Sequence, residues 1–356
     1  MNPTPPAAQF RECLIGTLLG TAVGDALGLP MENLAPESIR RRWPEPLRMR
    51  FIFGRGMISD DTEHTLMVAQ ALLSHPDDPV AFQRALGWRL RWWFLGLPAG
   101  VGLATARACL HLWIGFPADK SGVISGGSGA AMRSAIIGAY FADDSNMRRE
   151  FVLASSRLTH RSWQAETAAL AVSESAALAM RGESLQKPLD VLSAIRDLSQ
   201  EKEWQDRISQ METSFQVGAS ASEFACSAGL TKGVTGYSLH VVPVAIYAWL
   251  RHNAEFRPAL SEAIACGGDT DTVGAIVGAL CGCTRGVDQI PGEWLESIWE
   301  WPRSRNYMRR LGVRLAEQKL SATPVSPVHC FWPGQIPRNA LFLMVVLAHG
   351  FRRLLP

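Results

Sequence analysis

Residues 11–28 read RECLIGTLLGTAVGDALG. Apolar and small residues fill the stretch without the alternation a half-buried strand would show, so it is expected to be a helix over residues 11–27. Gly16, Gly20 and Gly24 recur every fourth residue, followed by Asp25 and Gly28. On a helix these glycines form one smooth stripe. In a bilayer such a stripe suggests dimerisation. Here the polar neighbours and Asp25 favour close packing against another helix in a soluble core. Glycine costs up to about 1 kcal/mol per helical site, so that packing must compensate. Asp25 is expected to cap the next turn or to stand behind a site.

Outward from this helix the same periodicity continues. Helices are expected at residues 61–74, 79–94, 99–113, 130–141, 146–158, 163–180, 189–198, 237–252, 256–266, 270–283, 304–320 and 339–352. The expected fold class is therefore all-α, a compact single domain over residues 11–320. A flexible Pro-rich segment (1–10) precedes it, and an extension (321–356) packs on it. Residues 342–347 of the extension are expected to cover the core. The more polar stretch 201–232 is expected to pack loosely.

Of 356 residues, 47% are hydrophobic and 19% charged, enough for a large core. Lys plus Arg (35) nearly balance Asp plus Glu (33), which argues against a nucleic-acid or anionic-membrane partner. The seven cysteines are odd in number and contain no C-x-x-C pair; they fit a reducing cytoplasm better than a disulfide framework. The N-terminus lacks the features of a signal peptide. The longest apolar run, residues 340–348, is too short to cross a bilayer.

Two acidic clusters carry the chemistry: Ser59-Asp60-Asp61-Thr62 and Gly267-Gly268-Asp269-Thr270-Asp271-Thr272, each where a loop enters an apolar helix. Capping would explain one carboxylate in each, and Asp60 with Glu63 fits a capping box. It does not explain two. Side-by-side carboxylates repel unless something positive lies between them. Asp77-Asp78 and Asp143-Asp144 lack the Ser/Thr–Gly surroundings and read as ordinary turns or caps. If the two clusters meet, four carboxylates and their hydroxyls suit hard divalent cations, and four acids suit two shared ions. No His or Cys belongs to the set, which disfavours zinc and copper. Glu32 reads equally well as a solvated loop acid.

Ser125-Gly126-Gly127-Ser128-Gly129 opens a helix and could present backbone N–H groups to phosphate, or serve as a linker. It is neither a Walker A loop nor a Rossmann fingerprint. His160 lies at a helix junction, where capping or exposure is its commoner fate.

These segments together resemble the ADP-ribosylglycohydrolase family: residues 20–32 (GTAVGDALGLPME), 59–66 (SDDTEHTL), 125–138 (SGGSGAAMRSAIIG), 158–160 (LTH) and 267–278 (GGDTDTVGAIVG), in matching order and spacing over roughly residues 11–320. The resemblance implies an all-α domain with a binuclear metal cleft holding two Mg²⁺, or Mn²⁺. Ser59, Asp60 and Asp61 would bind from one side, and Asp269, Asp271 and Thr272 from the other. Glu32, Asp61 and Asp271 would carry catalysis, with Glu32 contacting an ion or activating water. Gly127, Ser128, Gly129 and Met132 would line an ADP-ribose groove beside His160. Ser59 stands where many relatives have Thr, and Ser128 where many have Asn.

The implied activity is metal-dependent removal of ADP-ribose from a modified protein side chain, arginine-linked first. Serine-linked and small-molecule conjugates are the alternatives. A second reading is an immunity protein that reverses the modification made by an ADP-ribosylating toxin, or binds the toxin. Its arms would be the N-terminus and residues 39–55, although a frayed end and a solvated loop explain those segments more simply. A third is a metal phosphohydrolase acting on a free nucleotide.

Overall fold

The computed structural model describes residues 7–43, 45–183, 187–321 and 325–354. Among these residues there are seventeen α-helices: α1 (Ala7–Gly28), α2 (Pro36–Arg42), α3 (Asp60–Ser74), α4 (Pro79–Leu95), α5 (Leu103–Trp113), α6 (Ala135–Tyr140), α7 (Ser145–Arg157), α8 (Trp163–Met180), α9 (Pro188–Arg196), α10 (Lys202–Gln216), α11 (Ala221–Ser227), α12 (Ser238–Arg251), α13 (Phe256–Ala265), α14 (Thr270–Arg285), α15 (Gly292–Glu296), α16 (Arg305–Ser321) and α17 (Gln335–Leu354). No strand occurs among the described residues, only isolated bridges between loops. The expected all-α class is the one observed. α1 begins at Ala7, so the boundary expected after residue 10 falls inside a helix, and residues 1–6 lie outside the described set.

The glycine stripe of α1 finds its partner in α14. Gly16 faces Gly282, Gly20 faces Gly278 and Gly24 faces Gly274, so the two helices run antiparallel with their backbones in contact. A Cβ on any of these α1 glycines would overlap the facing carbonyl. α1 is long and apolar enough to cross a membrane, yet its apolar window is entirely buried inside the fold. It is the central helix of the core, and its C-terminal end delivers Asp25 and Glu32 to the same place as the N-terminal end of α14.

The expectation for residues 201–232 is corrected. Trp204, Ile208 and Met211 of α10 and Phe224 of α11 are fully buried, and Trp204 Nε1 donates to the Ile195 carbonyl at 2.9 Å. Their i, i+4, i+7 spacing was hidden by the polar average of the stretch. The helix expected over 130–141 is also divided, into a 3₁₀ turn, Ser128–Arg133, and α6. At the division Arg133 turns wholly inward, donating to Ser155 Oγ (3.1 Å) and Thr159 Oγ1 (2.7 Å) and lying 3.0 Å from His64 Nδ1. Among the described residues of 39–55, most positions are exposed, Phe53 almost wholly, and the segment is pinned at a few points. Ile39, Met49 and Phe51 are buried, and the Leu47 carbonyl accepts from Trp294 Nε1 at 3.1 Å. In the extension Phe342 is buried as expected, but Leu343, Met344 and Leu347 are exposed.

Candidate active site

Asp25 explains how the first acidic cluster is held. It is fully buried near the end of α1 and accepts from Ser59 N (2.9 Å) and from Thr62 N (3.2 Å) and Thr62 Oγ1. Burial pushes its carboxyl up to about 6 against these hydrogen bonds. The turn that starts α3 is thereby fastened to α1. Ser59 is the N-cap, accepting from Asp61 N at 3.2 Å, so Asp60 is not needed for capping. Nor does Glu63 close a capping box. It accepts from Trp93 Nε1 at 2.6 Å and pairs with Arg303 from the segment before α16.

The second cluster enters α14 through Gly267 and Gly268, both at positive φ (69° and 81°), a conformation glycine adopts without strain. A Cβ on Gly268 would also run into Val234 backbone. These glycines stitch three loops together: Asn33 N donates to the Gly268 carbonyl (2.7 Å), Gly268 N to Leu34 (2.9 Å) and Asp269 N to Val234 (2.8 Å). Asp269 stands at the N-cap of α14 yet makes no side-chain capping bond. The comparison pairs behave differently. Asp78 accepts from Val80 N and Ala81 N, and Asp144 from Met147 N, as caps should.

The two clusters meet. Thr272 Oγ1 donates to Asp61 Oδ2 at 3.4 Å across the gap between α14 and α3, and Ser59 Oγ reaches the same oxygen at 3.1 Å. Asp61 Oδ1 is buried with no hydrogen-bond partner among the described residues. Burial, and then mutual repulsion, hold Asp60, Asp61 and Asp271 well above the usual carboxylate range; burial raises Asp269 as well. Glu32 stands beside this group with Asn33 Nδ2 at 3.1 Å, and it adds to the repulsion on Asp60 and Asp271. An all-oxygen, multiply acidic donor set with an orphaned buried oxygen fits hard divalent cations. Among the described residues no three His, Cys, Asp or Glu side chains already close on one point, so binding would draw them together.

All twelve residues singled out in the sequence line one cavity of about 670 Å³: Glu32, Ser59, Asp60, Asp61, Gly127, Ser128, Gly129, Met132, His160, Asp269, Asp271 and Thr272. Ser128 N donates to the Gly236 carbonyl (3.0 Å), and Ser128 Oγ lies 3.4 Å from Asp269 Oδ2, which seats the Gly/Ser loop on the α14 side. His160 Nδ1 is 2.9 Å from Thr159 Oγ1, whose oxygen also accepts from Arg133. Burial, then the Arg133 charge, depress His160 to about 3, so the ring is neutral. Sequence reasoning missed residues 99, 100 and 102–105, residues 232–236, Phe342 and Val346, which also line the cavity. The glycines of TKGVTG (231–236) were the one available signal; nothing in the sequence marked the other wall residues.

Asp25 gives a first expected result. Asp25→Ala leaves several buried donors without an acceptor, at about 1–3 kcal/mol each, and should lower the thermal midpoint markedly. Asp25→Asn should stay near wild type, since one amide oxygen can take the place of Oδ2, which carries most of the bonds. Equal midpoints for the alanine variant and wild type would show that Asp25 does not hold the turn.

Comparison with known proteins bears on this geometry. Residues 6–324 match the model of the ADP-ribosylglycohydrolase family, and the chain belongs to that family. The general activity that goes with it is hydrolysis of an ADP-ribosyl bond. An uncharacterized protein of Archaeoglobus fulgidus is 31% identical over 323 residues, 87% of this chain and 96% of that one. The ADP-ribosyl-[dinitrogen reductase] glycohydrolase of Rhodospirillum rubrum is 25% identical over 88% of this chain and 98% of its own. The human ADP-ribosylhydrolase ARH3 is 26% identical, covering 82% and 89%. A solved structure titled ADP-ribosylglycohydrolase-related protein complex superposes with a TM-score of 0.65 at 25% identity, over 88% of this chain and 99% of that one.

Proposed function

We propose that the protein removes ADP-ribose from a modified protein side chain, arginine-linked in first place, with two divalent cations, magnesium or else manganese. The observation that carries this reading is the convergence of two acidic pairs, neither spent on capping as a whole, on one cavity that a glycine-rich loop also lines. Ser59, Asp60 and Asp61 would hold the cations from α3, and Asp269, Asp271 and Thr272 from α14. Such cations, when bound, orient ribose oxygens and make a coordinated water more acidic.

The chain's own groups divide the remaining work. The Gly127–Gly129 turn, with Met132 beside it, leaves room for close approach of the pyrophosphate, and Lys232 at the rim supplies the positive charge. Thr159 donates its hydroxyl proton to His160 Nδ1. Nε2–H then faces the cleft as a neutral donor to a ribose or phosphate oxygen. The anomeric bond breaks through an oxocarbenium-like transition state, the guanidine nitrogen leaving with the bonding pair while water adds to the carbon; Glu32 takes the water's proton and passes it to the departing guanidine. Asp61 and Asp271 would act on the same step through the cations they hold. Seven free cysteines suit a reducing cytoplasm.

The test is to incubate the protein with arginine- and serine-ADP-ribosylated targets, in magnesium and in chelator, and to weigh the product. Intact ADP-ribose from the arginine-linked target, in magnesium only, is expected. Release from serine alone would overturn the arginine assignment. Release of a mononucleotide would overturn glycosidic cleavage.

A further inference from the structure

The family match ends at residue 324, and the Archaeoglobus protein is aligned over 96% of its length while using 87% of this chain. Helix α17 is additional to that shared body, and it is built into the cleft. Arg338 of α17, nearly wholly buried, donates to both carboxylate oxygens of Glu300 (2.8 and 2.8 Å) and to the carbonyl of Ile58, the residue before Ser59. Asn339 Nδ2 donates to the Gly96 carbonyl at 2.7 Å, and the His349 ring stacks on Phe51 with Nε2 2.6 Å from that residue's carbonyl. α17 therefore ties down two loops that flank the cleft, residues 51–58 and 96–102. Held this way, Phe342 packs on Leu29, Phe51 and Met57, and with Val346 it forms part of the cavity wall.

The two sides of the cavity offer different chemistry. On the Asp269 side lie the glycine loops, which carry no bulky side chain at Gly127, Gly129, Gly233 and Gly236 and bring Lys232 to the cavity. On the Ser59 side lies the wall from α17, which at Phe342 and Val346 has neither charge nor donor. A pyrophosphate belongs on the first side. If the scissile bond lies over the carboxylates, the departing side chain is left facing the second. An arginine reaches its guanidinium through a three-carbon stem, which buries well along apolar surface.

We infer that Phe342 and Val346 are specificity-determining residues that receive the aliphatic stem of the departing arginine. This rests on the proposed activity. Wild-type protein is therefore assayed first for cleavage of an ADP-ribosylated arginine peptide and for affinity toward free ADP-ribose, and failure there is failure of that reading. Phe342→Ala, and Val346→Thr as an isosteric change that spares packing, are then compared with it. The expected result is a fall in kcat/KM on the arginine peptide of about tenfold for Phe342→Ala. A smaller fall should accompany Val346→Thr, with the dissociation constant of ADP-ribose, which lacks the departing group, unchanged. If Phe342→Ala fails to fold, Val346→Thr and Phe342→Leu decide. An equal loss of ADP-ribose affinity would show that the wall touches the nucleotide. Unchanged kcat/KM in the folded variants would show that it touches nothing. Either outcome overturns the inference.

Discussion

Gly24→Ala should destabilise the protein by at least about 3 kcal/mol, the upper range for overpacking a well-packed core, and lower its thermal midpoint by roughly 4 °C or more, given the unfolding entropy of a 356-residue chain. The added methyl would land on the Gly274 carbonyl of α14, an atom that can move only with its helix. Alanine is otherwise the better helix former, so the sign of the effect reports the contact alone. Gly292→Ala is the control: a Cβ there meets nothing within 4 Å, and no loss is expected. Cation affinity should fall in Gly24→Ala as well, because α1 carries Asp25 and α14 carries Asp271. A midpoint at the wild-type value would refute the backbone contact.

Asp61→Asn should separate activity from stability. Its carboxylate is shared between Ser59 and Thr272, with one oxygen left for a cation, so roughly 10²–10³-fold should be lost from kcat, as when a preorganised electrostatic group is removed. The metal-free protein should respond in the opposite direction. Burial, and then Asp60, Asp25 and Asp269, raise the Asp61 pKa in the folded state. A raised carboxyl contributes stability that is fully present below the unfolded value of about 4 and is lost as pH rises through the folded value. Metal-free wild type should thus weaken from acid toward neutral and alkaline pH, and Asp61→Asn should weaken less. Magnesium at a hundred times its Kd should return about 2.7 kcal/mol to wild type and little to the variant. Thermal melts against pH, with and without magnesium, read all of this. A wild-type midpoint indifferent to magnesium at every pH would remove the metal from the proposal.

The acidic clusters were legible because their signal is local: doubled carboxylates among hydroxyls at helix starts, where one cap would suffice. Glu63 was misread for the converse reason. Its spacing from Asp60 satisfies a capping box, while the partner that claims it, Arg303, lies 240 residues away. Phe342 and Val346 were not legible as wall residues. An apolar position on an amphipathic helix looks the same whether it faces a core or a cleft, and only the anchoring of α17 by Arg338, Asn339 and His349 settles which. The buried stripe of α10 was present in the sequence and was overlooked under its polar average.

The helical class, the smooth face of α1 and the oxygen-donor chemistry of the two clusters can be read from the residues alone. Each arises from residues within a few positions of one another: the 3.6-residue period, the absent Cβ, the first free N–H groups of a helix. Long-range packing sets the rest: the face of α1 meets α14, Asp25 fastens the Ser59 turn, and a helix beyond the family match forms part of the cavity wall. Those contacts join residues from 34 to 280 positions apart, and which surfaces meet depends on packing the whole core at once.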